Sequence, residues 1–156
     1  VKELAELKLP AARLDQTLTC AIIDGASELI KRVGPELLYI PWGGDAHSDH
    51  RIVFDALRPF LKAFRYPFIK TVLAMETPSE TNEALMGAHQ QFTPNWWNDV
   101  SGQLDEKIDL MKIYEGEMSP PPSPRNEQII RSQALLRGSQ MGVLAAEAFV
   151  CLLQRN

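Results

Sequence analysis

Two short apolar runs, Leu37–Trp42 and Phe68–Met75, flank a stretch whose apolar residues fall at helical spacing, and this order constrains the fold most. Leu37-Leu-Tyr-Ile-Pro-Trp42 follows the stop signal Gly34-Pro35. It is too short for a helix and rich in strand formers, so it predicts a buried strand. Ile52, Val53, Ala56, Leu57, Phe60 and Phe64 then predict a helix over Asp49–Phe64, kinked or divided at Pro59. Phe68-Ile-Lys-Thr-Val-Leu-Ala-Met75 predicts a second strand. Strand, helix, strand over about forty residues is a βαβ unit, whose strands run parallel with the helix over one sheet face. An α/β fold is therefore expected.

Helical spacing also runs from Leu14 to Val33, before Gly34-Pro35. Thr77–Asp99 has little periodicity and contains Pro78, Gly87 and Pro94, which predicts a long loop with one helical turn near Glu80–Met86. Ser101 is placed to cap a helix reaching about Glu117, with Asp105 and Glu106 in its first turn. Ser119-Pro-Pro-Pro-Ser-Pro124 is a stiff break. A helix from about Asn126 towards Gly138 or Gly142 and a strand over Ala145–Leu153 complete the reading.

The 156 residues suit one domain, residues 1–156, and a hydrophobic share of 45% is enough for a real core. A formal charge of −4 without any cluster of five or six Lys and Arg argues against a nucleic-acid partner. The longest apolar stretch, inside Met141–Leu153, is short and interrupted by Glu147, so no membrane span is expected. Two cysteines, Cys20 and Cys151, sit in apolar segments and read as buried reduced thiols, which fits a cytoplasmic protein.

The first strand ends at Ile40-Pro-Trp-Gly-Gly-Asp-Ala-His-Ser-Asp-His-Arg51, which holds two of the three histidines. In open parallel sheets ligands bind beyond the carboxyl ends of strands. Adjacent strands would bring this segment and Glu76-Thr-Pro-Ser-Glu-Thr-Asn82 to one cleft. His47 and His50 could share a metal with an oxygen ligand from Asp45 or Asp49, or an aspartate could orient an imidazole through its second nitrogen. Equally, Ser48 or Asp49 could cap a helix beside two solvated histidines. Glu76 reads either as a hydrogen-bond partner for a substrate hydroxyl or as an exposed acid. Trp96-Trp97 could stack on a sugar ring or cover the rim of a core. Arg125 could clamp an anion or satisfy local carbonyls. His89, in a polar loop without a close partner, reads as surface.

The pattern D-x-H-x-D-H-R at Asp45–Arg51 resembles the second signature of the PIG-L/LmbE-like family of zinc-dependent N-acetylglucosamine deacetylases. Glu76-Thr-Pro-Ser-Glu-Thr, Phe92–Ser101, Lys107–Tyr114 and Arg137–Phe149 resemble later segments of that family in the same order. The likeness implies a Rossmann-like, mostly parallel sheet flanked by helices. It also implies removal of an N-acetyl group from an N-acetylated amino sugar, whether lipid-linked, glycoside or free, by zinc-activated water. Carried over, His50 matches the zinc ligand, His47 the residue that stabilises the oxyanion, and Asp49 an aspartate that orients an imidazole. Glu76, Trp97 and Arg125 are the expected substrate contacts.

The family's A-H-P-D-D-E motif, source of a histidine and an aspartate for zinc and of the general base, has no counterpart here. The first strand-loop unit is thus expected to be missing, with the remaining zinc ligands on a segment not in this sequence. At Pro120–Asn126, where relatives often read P-H-P-R-S, Ser123 stands in the histidine's place. Two further readings follow from the missing motif. One is a sugar or nucleotide-sugar binding protein without catalysis; the other is an inactive fragment that requires a partner chain. An unpaired sheet edge would favour homo-oligomers.

Overall fold

The computed structural model describes residues 3–84 and 91–155. Among the described residues four α-helices flank a four-stranded sheet: α1 Thr19–Val33, α2 Ser48–Leu57, α3 Leu104–Ile113 and α4 Glu127–Met141, with β1 Leu37–Pro41, β2 Thr71–Met75, β3 Trp96–Asp99 and β4 Ala146–Gln154. The α/β architecture is the expected one. α1 stops where Gly34 adopts the left-handed conformation at φ 60° and returns its N–H to the Ile30 carbonyl. Pro59 lacks an amide hydrogen, so α2 ends at Leu57 and the chain continues as a 3-10 turn over Arg58–Leu61.

The strand order is β1-β2-β4-β3. β1 and β2 pair in parallel, with Leu37 opposite Thr71 and Pro41 opposite Met75, as the βαβ reading requires. β4 runs antiparallel to both β2 and β3. Three of the four strands therefore share one direction, while the pairings are mixed. Ile40, Val72 and Ala74 on one face of the sheet, together with Ile30, Phe60, Tyr66 and Ile69, make the main core. A smaller cluster of Val100, Ala134 and Ala145 seats α4 against the start of β4.

Four local expectations are corrected. Residues 92–100 are not all loop, because Trp96–Asp99 forms β3 against Phe149–Ala146 of β4. The described part of Glu80–Met86 makes turns rather than a helix, and its end, like His89, lies outside the described residues. Ser101 does not cap α3; Gln103 occupies that position without a side-chain bond, and the Ser101 hydroxyl donates to Asp99 Oδ1 at 2.6 Å. Neither cysteine is buried, since Cys20 is exposed and Cys151 half-buried.

The register sets the stage for the site. β1 and β2 end at the level of Phe149, whereas β3 and β4 continue to the pair Asp99 and Ala146. The start of β4 thus forms a wall beyond the carboxyl ends of β1 and β2.

Candidate functional site at the carboxyl edge of the sheet

The chain leaves β1 at Pro41 and turns into α2 through Asp45–His47. The Ala46 N–H donates to the Glu80 carbonyl at 3.0 Å, which joins this turn to the loop after β2. The two polar segments singled out in the sequence are thereby brought together.

Asp45 is fully buried at their junction. Its Oδ1 accepts from Thr81 Oγ at 2.7 Å, and its Oδ2 lies 2.7 Å from His50 Nδ1. Burial pushes the Asp45 carboxyl above the usual carboxylate range, against the opposing pull of the hydrogen bonds from His50 and Thr81. With Nδ1–H donated to this carboxylate, His50 presents the lone pair of Nε2. That is the state in which an imidazole binds a metal or takes a proton.

His47 is the N-cap of α2. Its Nδ1 accepts the Asp49 N–H at 3.1 Å, so the neutral ring carries its proton on Nε2. The cap expected at Ser48 or Asp49 is therefore His47. The two imidazoles stack with centroids 5.3 Å apart, one offering a lone pair and the other an N–H.

Asp49 does not orient an imidazole with its carboxylate. The carboxylate turns away and accepts the Ala12 and Leu14 N–H groups at 2.6 and 3.1 Å. Asp45 holds His50 instead. The spacing explains the exchange: Asp49 sits inside the first turn of α2, facing the N-terminal segment, while Asp45 sits in the turn that faces the ring.

His47 and His50 open onto a cavity of about 370 Å³ whose walls include Thr77, Pro78, Glu80, Lys107 and Arg125. A second cavity of about 230 Å³ lies alongside, reached across the shared residues Thr77, Pro78, Lys107 and Ile130. Glu76 lines the second cavity and forms a two-pronged ion pair with Arg137, Nε to Oε2 at 2.9 Å and Nη2 to Oε1 at 2.5 Å. Arg125 lines the first and pairs with Glu117. Trp97 lines neither; it stands on β3 and donates Nε1–H to Gln140 Oε1 at 3.3 Å.

Sequence reasoning did not single out Thr81, Lys107 or Glu147. Lys107 Nζ lies 2.5 Å from Glu147 Oε1 at the wall between the cavities. Only the sheet order, which brings β4 beside β2, places Glu147 there.

Among the described residues no three His, Cys, Asp or Glu side chains gather to hold a metal ion. His50, locked by a buried carboxylate, has the donor chemistry of one zinc ligand, but a zinc site with three protein ligands is not assembled by these residues alone.

No family model matches the chain, and no curated protein matches it in sequence. Solved structures do match in fold. An N,N'-diacetylchitobiose deacetylase from Pyrococcus horikoshii aligns over 97% of this chain at 15% identity and a TM-score of 0.58. GalB, the 4-carboxy-2-hydroxymuconate hydratase from Pseudomonas putida, aligns over 100% at 18% identity and a TM-score of 0.60. A conserved protein from Thermus thermophilus aligns over 96% at 19% identity and a TM-score of 0.55. The chain spans 55%, 77% and 61% of those three proteins, respectively. It has the α/β fold that a deacetylase and a hydratase share.

Proposed function

We propose that this chain carries the histidine side of a hydrolytic site that removes the N-acetyl group from an N-acetylated amino sugar. The observation that carries the reading is the Asp45–His50 pair at 2.7 Å beside His47, a lone pair and an N–H side by side in one cleft. The ordered sequence segments described above and the fold shared with a deacetylase support it. In this reading His50 Nε2 takes one position on zinc, and the other protein ligands come from residues outside this sequence. His47 Nε2–H faces the amide oxygen and stabilises the negative charge that develops there. His47 needs no added proton for this, because its cap already fixes the Nε2–H form.

The test uses the gene product that contains this chain, with N-acetylglucosamine and its β1,4-linked disaccharide as substrates. The parent is expected to retain zinc and release acetate. His50→Ala should lose both, since a three-ligand zinc site rarely tolerates losing one ligand. His47→Ala should keep zinc and lower kcat by about 10²–10³-fold, the usual loss for one oxyanion donor. Stoichiometric zinc in His50→Ala would refute the ligand assignment. Saturable sugar binding by the parent without any acetate release would instead make this a sugar-binding protein.

A further inference from the structure

The two edges of the sheet differ. β3 is short and closes on the exposed pair Asn98-Asp99, a charge of the kind that keeps strands from pairing. β1 carries no such guard. No charged residue lies between Leu37 and Gly44, and the strand is apolar on both faces, as strands in the interior of a sheet are. Leu38 and Ile40 enter the main core. Leu37 and Tyr39 alternate to the other face, where they are 43% and 49% exposed although the Tyr39 ring centre lies 5.3 Å from that of Phe149. Among the described residues β1 pairs with β2 alone.

The register determines which backbone groups are left over. The Glu36 carbonyl accepts the Thr71 N–H, so Glu36, Leu38 and Ile40 turn their polar groups toward β2. Leu37, Tyr39 and Pro41 turn theirs outward, and Pro41 has no N–H to offer. A second β1 running antiparallel about a two-fold axis at Tyr39 fits this set. Tyr39 then faces its own copy and exchanges two bonds with it, while each Leu37 N–H donates to the Pro41 carbonyl opposite. The Leu37 carbonyls, which lose a donor to proline, fall at the two ends of the ladder within reach of water. The two Glu36 carboxylates end up about 20 Å apart, well beyond a Debye length of about 8–10 Å. Each is also bound to Lys70 Nζ at 2.6 Å. Because the strands are antiparallel, the two histidine clefts lie at opposite ends of the joined sheet, and neither copy covers the other's.

We infer that the outer edge of β1 is an interface for a second copy of this chain, in which Leu37, Tyr39 and Pro41 of the two copies pair antiparallel and join two four-stranded sheets into one. An uncharged edge that satisfies itself in this register needs no other partner, and a two-fold contact closes after two copies. The inference does not depend on the chemistry proposed for the histidine site. Four hydrogen bonds and two apolar side chains from each copy make a small interface of the transient class, with a dissociation constant of roughly 10–300 μM.

Sedimentation equilibrium of the 156-residue chain from about 1 to 500 μM should show monomer and dimer in exchange and nothing larger. Tyr39→Lys sets two ammonium groups directly opposite each other and should weaken the dimer by at least about tenfold. Ile113→Lys, on the exposed face of α3, should leave it unchanged. Amide exchange in the unsubstituted chain gives a reading free of any folding defect. Over the same rise in concentration the Leu37 and Tyr39 amides should slow by about twofold or more, while those of Leu38 and Ile40, bonded to β2, should not change. A monomer at every concentration, oligomers larger than a dimer, or exchange at Leu37 and Tyr39 that ignores concentration would each overturn the interface. So would a dimer that survives Tyr39→Lys, or one that Ile113→Lys abolishes, which would move the contact to α3.

Discussion

At the scale of single residues, the site depends on a carboxylate that burial disfavours. Asp45 is fully buried; it accepts the Thr81 hydroxyl and fixes the His50 tautomer. In Asp45→Asn the Thr81 hydroxyl still has an oxygen to donate to, but an amide NH₂ replaces the second oxygen opposite His50 Nδ1. The ring must then accept at Nδ1 and carry its proton on Nε2, so the lone pair that faced the cleft is lost. Nitrogen NMR of the His50 ring should show this switch, and metal affinity should fall by about 10–100-fold, as for other partners that orient a ligating histidine. Persistence of the Nδ1–H form would disprove the orienting role. Stability should move differently. Because burial raises the Asp45 carboxyl, the folded chain keeps its proton to higher pH than the unfolded chain. This contribution is complete below the ordinary carboxylate range and is lost as pH rises through the raised value. The asparagine variant has no such loss, so its thermal midpoint should gain on the parent's as pH rises above the ordinary carboxylate range. A variant that loses ground on the parent as pH rises above that range would contradict the burial argument.

Among the elements, two glycines in helices show how the same substitution can have opposite signs. A Cβ on Gly138 of α4 would lie 2.7 Å from the Val143 and Leu144 carbonyl oxygens and 2.8 Å from the Ala145 Cα. These are backbone atoms of the turn that leads into β4, and they cannot rotate away. The gain of about 1 kcal/mol in helix propensity is outweighed by overpacking of about 1–3 kcal/mol or more, so Gly138→Ala should lower the urea midpoint. On Gly25 of α1 the added Cβ would meet only the Leu7 methyl groups, the far end of a flexible side chain. Gly25→Ala should therefore leave the midpoint unchanged or raise it, and equal losses at both positions would refute the distinction. The same long-range contacts explain what the sequence concealed at this scale. α1, β1, α2, α4 and β4 announced themselves through periodicity and the stops at Gly34, Pro59 and Gly142. β3 did not, because four residues after Pro94 have no repeat to display and gain strand character only by pairing with β4. Ser101 looked like a helix cap because nothing local reveals that Asp99 and the Ala145 N–H occupy its hydroxyl.

For the whole molecule, the parallel β1/β2 pair and the meeting of two polar segments at its carboxyl edge were legible, since a βαβ unit dictates both. The insertion of β4 between β2 and β3 was not, because several apolar strands of similar character leave their order open. That order brings Glu147 to the cleft, and a comparable long-range tie decides the role of Asp49. Its carboxylate binds the Ala12 and Leu14 N–H groups, 37 and 35 residues away in sequence, while its own N–H caps back to His47. Leu14, buried against Ile22 and Ala56, is thereby pinned to the helix that bears the histidines. Asp49→Asn replaces one acceptor oxygen by an NH₂ that opposes an N–H, and hydrogen bonds to a charged acceptor contribute about 1.5–3 kcal/mol when shielded, less where exposed as at Ala12. Hydrogen exchange should quicken by about tenfold or more at Leu14, while the amides of Leu73 and Ala74 in the central strand keep their protection. The His47 tautomer should not change, because the backbone donor that fixes it survives the substitution. Unchanged exchange at Leu14 would show that Asp49 does not hold the N-terminal segment. A switched His47 tautomer would show that segment and cap act as one unit.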